Sequence, residues 1–189
     1  CRRAEAHLSK AAAAQMFLAL LLLVGVPCTI IATVVTPPAQ VDVLIVGGGL
    51  YGLGLAWGLM RAKVTNLLVV DRAPPGQEGP WMTFARMRTL RTAKELSGIE
   101  FGVPSLSVRA YWEARFGRKS WQELPRIPRP EYMEYLEWFR GTIDIPVQND
   151  TEVVSIDGDA NVAQVTVRHK GKSSVLRTRR VVLATGLLG

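Results

Sequence analysis

VDVLIVGGGLYGLGLA at residues 41–56, closed by LLVVD at residues 67–71, is the stretch whose reading decides the fold. Val41, Val43, Leu44, Ile45 and Val46 form a short, largely β-branched run, as a buried parallel strand requires. Gly47, Gly49 and Gly52 follow in G-x-G-x-x-G register, with Ala56 on the helix they open. Each glycine has its own physical task. Gly47 makes the tight turn off the strand, Gly49 lets a pyrophosphate approach the backbone, and Gly52 lets the helix pack close to the strand. The helix beginning near Gly49 presents free N–H groups and a positive dipole end to phosphates. Asp71, ending the second strand, stands at the distance expected of an acceptor for a ribose hydroxyl. The predicted unit is a dinucleotide-binding βαβ. A βαβ unit without a ligand explains the fold but not the common register of three glycines and the acid.

The chain has 189 residues, enough for one domain with a real core. It begins with Cys1 and stops at Gly189 directly after a strand-like run, so the expectation is an N-terminal fragment of a longer protein. The formal charge is +7. It comes from scattered arginines, with no clustered module, so nucleic acid is not an expected partner. The two cysteines, Cys1 and Cys28, form no C-x-x-C pair or zinc spacing, and His7 and His169 are far apart, so no metal site is expected.

Residues 1–40 read as a polar leader, an apolar segment and a linker; residues 41–189 read as the folded domain. The apolar segment at residues 17–35 is long enough to cross the hydrocarbon core. A membrane anchor, a signal sequence (Arg2, Arg3 and Lys10 supplying the basic region) and the product of a misplaced translation start all fit it. The expected location is cytoplasmic, or membrane-associated if this segment is a genuine span. Positive charge on its N-terminal side would carry the domain across the membrane, away from the cytosolic dinucleotides it is predicted to bind, which counts against a simple anchor.

After Asp71 a Pro- and Gly-rich loop leads to Arg86, Arg88, Arg91 and Lys94. These form either a cationic wall facing an anion or a solvated basic face. A helix is predicted over residues 107–116, with Ser107 as N-cap and Gly117 as stop. Tyr111 and Trp112 are expected in the core. A second helix opens at Pro130, runs through Arg140 and ends at Gly141. Its stripe of Tyr132, Tyr135, Leu136 and Phe139 reads as packing. Residues 151–156, 162–168 and 175–183 read as strands of a β-meander whose last part, Val181 to Leu183, is buried and ends in Ala184-Thr185-Gly186.

The glycine turn, the Asp71-Arg72 pair, Gly79-Pro80-Trp81, Thr151-Glu152-Val153 and Ala184-Thr185-Gly186 together resemble the flavoproteins with two dinucleotide-binding domains. Within them the chain is most similar to the class B flavin-dependent monooxygenases, although Gly79-Pro80-Trp81 departs from their G-G-x-W turn. The resemblance implies an α/β fold, a Rossmann-like FAD-binding domain (βαβ plus helices and a β-meander) incomplete at its C-terminus. It implies that Gly47, Gly49 and Gly52 hold the FAD pyrophosphate and that Asp71, followed by Arg72, holds the ribose. Trp81 and the segment carrying Arg88 would approach the flavin side, Val153 would offer backbone contacts to adenine, and Ala184, Thr185 and Gly186 would close over the cofactor. It further implies NADPH or NADH as reductant, at a site outside this chain, and O2 and a small molecule as substrates. A flavin dehydrogenase or reductase of the same fold, or a truncated non-catalytic nucleotide-binding module, are the alternatives; the absent C-x-x-C argues against a disulfide reductase. No side chain in the sequence demands a role as acid, base or nucleophile.

Overall fold

A computed structural model describes residues 39–186; the apolar segment at residues 17–35 lies outside them. The first unit is strand β1 (Gln40–Val46), helix α1 (Leu50–Arg61) and strand β2 (Leu67–Val70). β1 and β2 run parallel, Val43 beside Leu67 and Val46 beside Val70. The register brings the glycine turn and Asp71 to the same carboxyl edge of the sheet, where open α/β sheets bind ligands.

Helices α2 (Val108–Phe116), α3 (Arg118–Glu123) and α4 (Arg129–Thr142) follow, then strands β3 (Val147–Gln148), β4 (Thr151–Gly158), β5 (Ala163–His169) and β6 (Lys172–Leu183). The six strands form one sheet in the order β3-β2-β1-β6-β5-β4. The long β6 joins its two halves. Lys172 to Thr178 pair antiparallel with β5, and Arg177 to Leu183 pair parallel with β1. A local hairpin and a parallel crossover sheet therefore share one strand.

Ser107 caps α2 as its sequence predicts, its Oγ accepting the Ala110 N–H at 3.1 Å. Gly117, at φ +85°, separates α2 from α3. Pro130 lies in the first turn of α4, but Gly141 does not end that helix, which continues to Thr142 and stops at Ile143. Helical backbone at Gly141 costs only about 1 kcal/mol relative to alanine, too little to override the packing of the turn around it. α3 and the two-residue β3 were not expected. The final strand segment is also less buried than expected: Val181 and Val182 are half-buried and Leu183 is exposed. The aromatic layer packs over Ile45, Leu67 and Val69 of β1 and β2 and reaches Ala184 just past β6, but Val181, Val182 and Leu183 are not part of it.

Tyr132, Tyr135, Leu136 and Phe139 are fully buried in that layer, with Tyr111 and Trp112 from α2. Tyr135 stands 5.8 Å from Tyr111 and 6.0 Å from Phe139, ring centre to ring centre. The hydroxyls of Tyr132 and Tyr135 donate to the carbonyls of Ser97 (2.6 Å) and Leu106 (3.0 Å), so the buried polar atoms are satisfied. Phe139→Ala should cost about 3–5 kcal/mol, read as a lowered urea midpoint at unchanged slope. A smaller second cluster, with Val41, Leu44, Val165, Val167 and Leu176, fills the opposite face.

Candidate functional site

The glycine turn is fixed by backbone contacts. Gly47 is at φ +111°, and a methyl group there would meet the Ala184 carbonyl oxygen at 2.4 Å and the Thr185 nitrogen at 3.2 Å. The Ala184 N–H donates to the Val46 carbonyl at 2.7 Å, which locks the Ala184-Thr185-Gly186 turn against the end of β1. A methyl at Gly52 would fall 1.8 Å from the Gly47 carbonyl oxygen, so α1 reaches the turn only because residue 52 has no side chain. Gly49 differs. It is the N-cap of α1 at φ −74°, and a methyl there meets nothing closer than the Gly79 Cα at 3.6 Å. No side chain caps α1 and no acid stands in its first turn, so its leading N–H groups lack partners inside the helix.

Asp71 follows β2 directly and is 9% exposed. Its Oδ2 accepts the Gly48 N–H at 2.6 Å and its Oδ1 the Ala73 N–H at 2.8 Å. Its backbone is held too, its N–H donating to Gln148 and its carbonyl accepting from Thr151. The acid thus ties the glycine turn to the start of β4, two residues before the half-buried Val153. Each carboxylate oxygen retains a second lone pair for a ligand hydroxyl. Arg72 beside it is exposed.

The turn that carries Trp81 packs onto the glycine turn, Gly79 lying against Gly49. The Trp81 ring meets Tyr132 edge to face at 4.9 Å, and its indole N–H is buried without a hydrogen-bond partner. It borders a cleft of about 430 Å³ whose walls include Leu50, Tyr51, Met87, Arg91 and Tyr132. Burial pushes the Tyr132 and Tyr135 phenols up, so at neutral pH both are neutral hydrogen-bond donors.

The basic segment divides. Arg86, Arg88 and Arg91 are exposed, and their side chains have no ion-pair or hydrogen-bond partner among the described residues. Arg88 stands on backbone pinned to α4, its carbonyl accepting the Arg129 N–H. Lys94 belongs to the scaffold: its Nζ donates to the carbonyls of Trp121 (2.6 Å) and Leu124 (2.8 Å) at the C-terminus of α3 and lies 4.8 Å over the Trp121 ring. Lys94→Met should destabilise the fold by about 1–3 kcal/mol in urea while leaving dinucleotide affinity unchanged. His169 is likewise structural, its Nδ1 2.8 Å from the Thr151 hydroxyl. Among the described residues no cluster could hold a metal, and no helix is long and apolar enough to cross a membrane.

Sequence reasoning missed one buried node. Glu78 is 1% exposed, its Oε1 accepting from Arg140 at 2.5 Å and from the Asn149 amide at 2.6 Å. A methyl at Gly48 would touch both Asp71 and Glu78, at 3.3 and 3.4 Å, so the middle glycine is walled by two carboxylic side chains. The partners are far apart in sequence, and no local pattern announces them.

Residues 44–188 match a protein family described as FAD-NAD(P)-binding. The chain is 48% identical over 148 residues to the FAD-dependent urate hydroxylase of Xanthomonas campestris pv. campestris, a match covering 78% of this chain and 31% of that protein. Among solved structures it resembles the FAD-bound cadaverine monooxygenase of desferrioxamine biosynthesis from Erwinia amylovora, with TM-score 0.63 and 21% identity over 79% of this chain and 36% of the other. It also resembles the bacillithiol disulfide reductase of Staphylococcus aureus, with TM-score 0.60 and 19% identity over 79% of this chain and 39% of the other. At such identities the structural likeness shows the fold, which oxygenases and a reductase share. The chain spans about a third of the length of these relatives.

Proposed function

Because this chain belongs to the FAD-NAD(P)-binding family, we propose that its glycine turn and Asp71 bind the ADP half of FAD, as part of an NAD(P)H-dependent monooxygenase. The observation that carries this is the contrast among the three glycines. A methyl at Gly47 or Gly52 would collide with backbone, whereas one at Gly49 would meet only the Gly79 backbone at ordinary contact distance, beside an uncapped helix N-terminus. That is the arrangement a pyrophosphate needs, because N–H groups and the positive end of a helix dipole converge there and no side chain intervenes. The residues present fit the cofactor.

On this reading Gly47, Gly49 and Gly52 shape the pyrophosphate turn and the first N–H groups of α1 donate to it. Asp71 accepts from the ribose, with Arg72 beside it at the mouth. Val153 offers backbone to adenine. Ala184, Thr185 and Gly186 close the turn from the β6 side, and Trp81 and Arg88 face the flavin side. When bound, FAD supplies the redox chemistry, and the protein binds, orients and excludes water. NAD(P)H, O2 and a small organic molecule complete the reaction, and the similarity to a urate hydroxylase supports hydroxylation as its type. We take the domain boundary to lie at about residue 40, which the sequence assigns to a linker but which already pairs as the first residue of β1. We place the domain in the cytoplasm, with membrane attachment through residues 17–35 as the alternative that fractionation of cells would detect.

Titrating FAD into the purified chain tests the assignment. Quenched flavin fluorescence and a shifted absorbance band are expected, with Asp71→Ala weakening binding by about tenfold or more. That substitution removes a charged acceptor and orphans the Gly48 and Ala73 N–H groups, a loss of about 1–3 kcal/mol. Equal affinity in Asp71→Ala would remove the acid from the site.

A further inference from the structure

We propose that Glu78 is a positioning residue, which through Arg140 and Asn149 clamps the Gly79–Trp81 turn at the site and so sets where Trp81 stands. This rests on the FAD-site reading above and adds to it a residue with no direct contact to the cofactor.

The turn from Glu78 to Trp81 is anchored at both ends on one helix. Glu78 accepts from Arg140 in the last turn of α4, and Trp81 packs on Tyr132 of the same helix. A third tie comes from Asn149, whose amide donates both to Glu78 and, at 3.1 Å, to the Ala73 carbonyl in the loop leaving Asp71. The Glu78 side chain, which itself borders Gly48, therefore joins three segments: the Trp81 turn, α4 and the approach to β4.

Such a node is costly to build. A buried carboxylate is tolerated only when paired, and replacing a buried pair by apolar groups is often neutral for stability. Here one oxygen, Oε2, is buried with no hydrogen-bond partner at all. The node is therefore a poor device for stability alone and a good one for geometry, because two directional bonds from different segments converge on one carboxylate oxygen. The residue beside it, Gly79, is the nearest neighbour that a side chain at Gly49 would meet. Trp81, two residues further, borders the cleft with a free indole N–H.

The test compares FAD with ADP on the chain. ADP reaches only the glycine turn, whereas FAD extends to the Trp81 side. Glu78→Ala should weaken FAD about tenfold or more while ADP changes less than about threefold, and Glu78→Gln should recover most of the FAD affinity, because its amide oxygen still accepts from both donors. If Glu78→Ala does not fold, the double variant Glu78→Gln/Arg140→Met serves instead. It leaves no buried charge and cuts the tie to α4, and should show the same selective loss of FAD. Unchanged FAD affinity in the folded variant, or equal losses of FAD and ADP, would overturn the clamp while leaving the FAD site standing. A wild-type chain that binds neither ligand would overturn both.

Discussion

Gly49→Val folds and fails to bind FAD. The valine Cβ has room, its nearest neighbour being Gly79 at 3.6 Å, and φ −74° is ordinary for a branched residue. Loss of a glycine N-cap should cost no more than about 1 kcal/mol, so circular dichroism and urea unfolding should stay close to wild type. The branched side chain, however, occupies the space in front of the leading N–H groups of α1. A ligand phosphate must then retreat from those donors. Losing two such charge-assisted bonds is worth about 3 kcal/mol, or about a hundredfold in affinity. Fluorescence titration with FAD reads this directly, and it separates a binding lesion from a folding lesion in one variant.

Gly52→Ala has the opposite character. Alanine in place of glycine inside a helix normally stabilises by about 1 kcal/mol. At residue 52 the added methyl would lie 1.8 Å from the Gly47 carbonyl oxygen, a backbone atom that moves only if α1 lifts off β1. Overpacking of this kind costs about 1–3 kcal/mol and here should reach the upper end. The same helix supplies the control, since Gly58 has nothing within 4 Å of a methyl group. Gly58→Ala should therefore raise the urea midpoint, while Gly52→Ala lowers it by an amount equivalent to about 3 kcal/mol and weakens FAD as the turn is displaced. A Gly52→Ala variant as stable as wild type would mean that α1 does not approach the turn as closely as the structure shows.

The first βαβ unit was legible because its signals are local. A branched run, three glycines in register and an acid at the end of the next strand each act within a few residues. The caps of α2 and the stripe on α4 were readable for the same reason. α3 and β3 were not, since six and two residues carry too little periodicity to register. The exposure of Leu183 depends on which layer covers the sheet, not on the strand itself. The Glu78 node was the furthest from view: its bonds join residues 62 and 71 positions apart, and glutamate in a Pro- and Gly-rich loop reads as solvated until the fold buries it. Lys94 shows the converse. Its place in a basic run suggested an anion site, yet carbonyls at the end of α3 claim it.

The central claim is that Gly49 fronts the pyrophosphate site of FAD. The most direct measurement is the flavin absorbance spectrum of the wild-type chain and of Gly49→Val after incubation with FAD and gel filtration. The account predicts a perturbed flavin band retained by the wild type and absent from the equally folded variant. Flavin retained alike by both chains would contradict it.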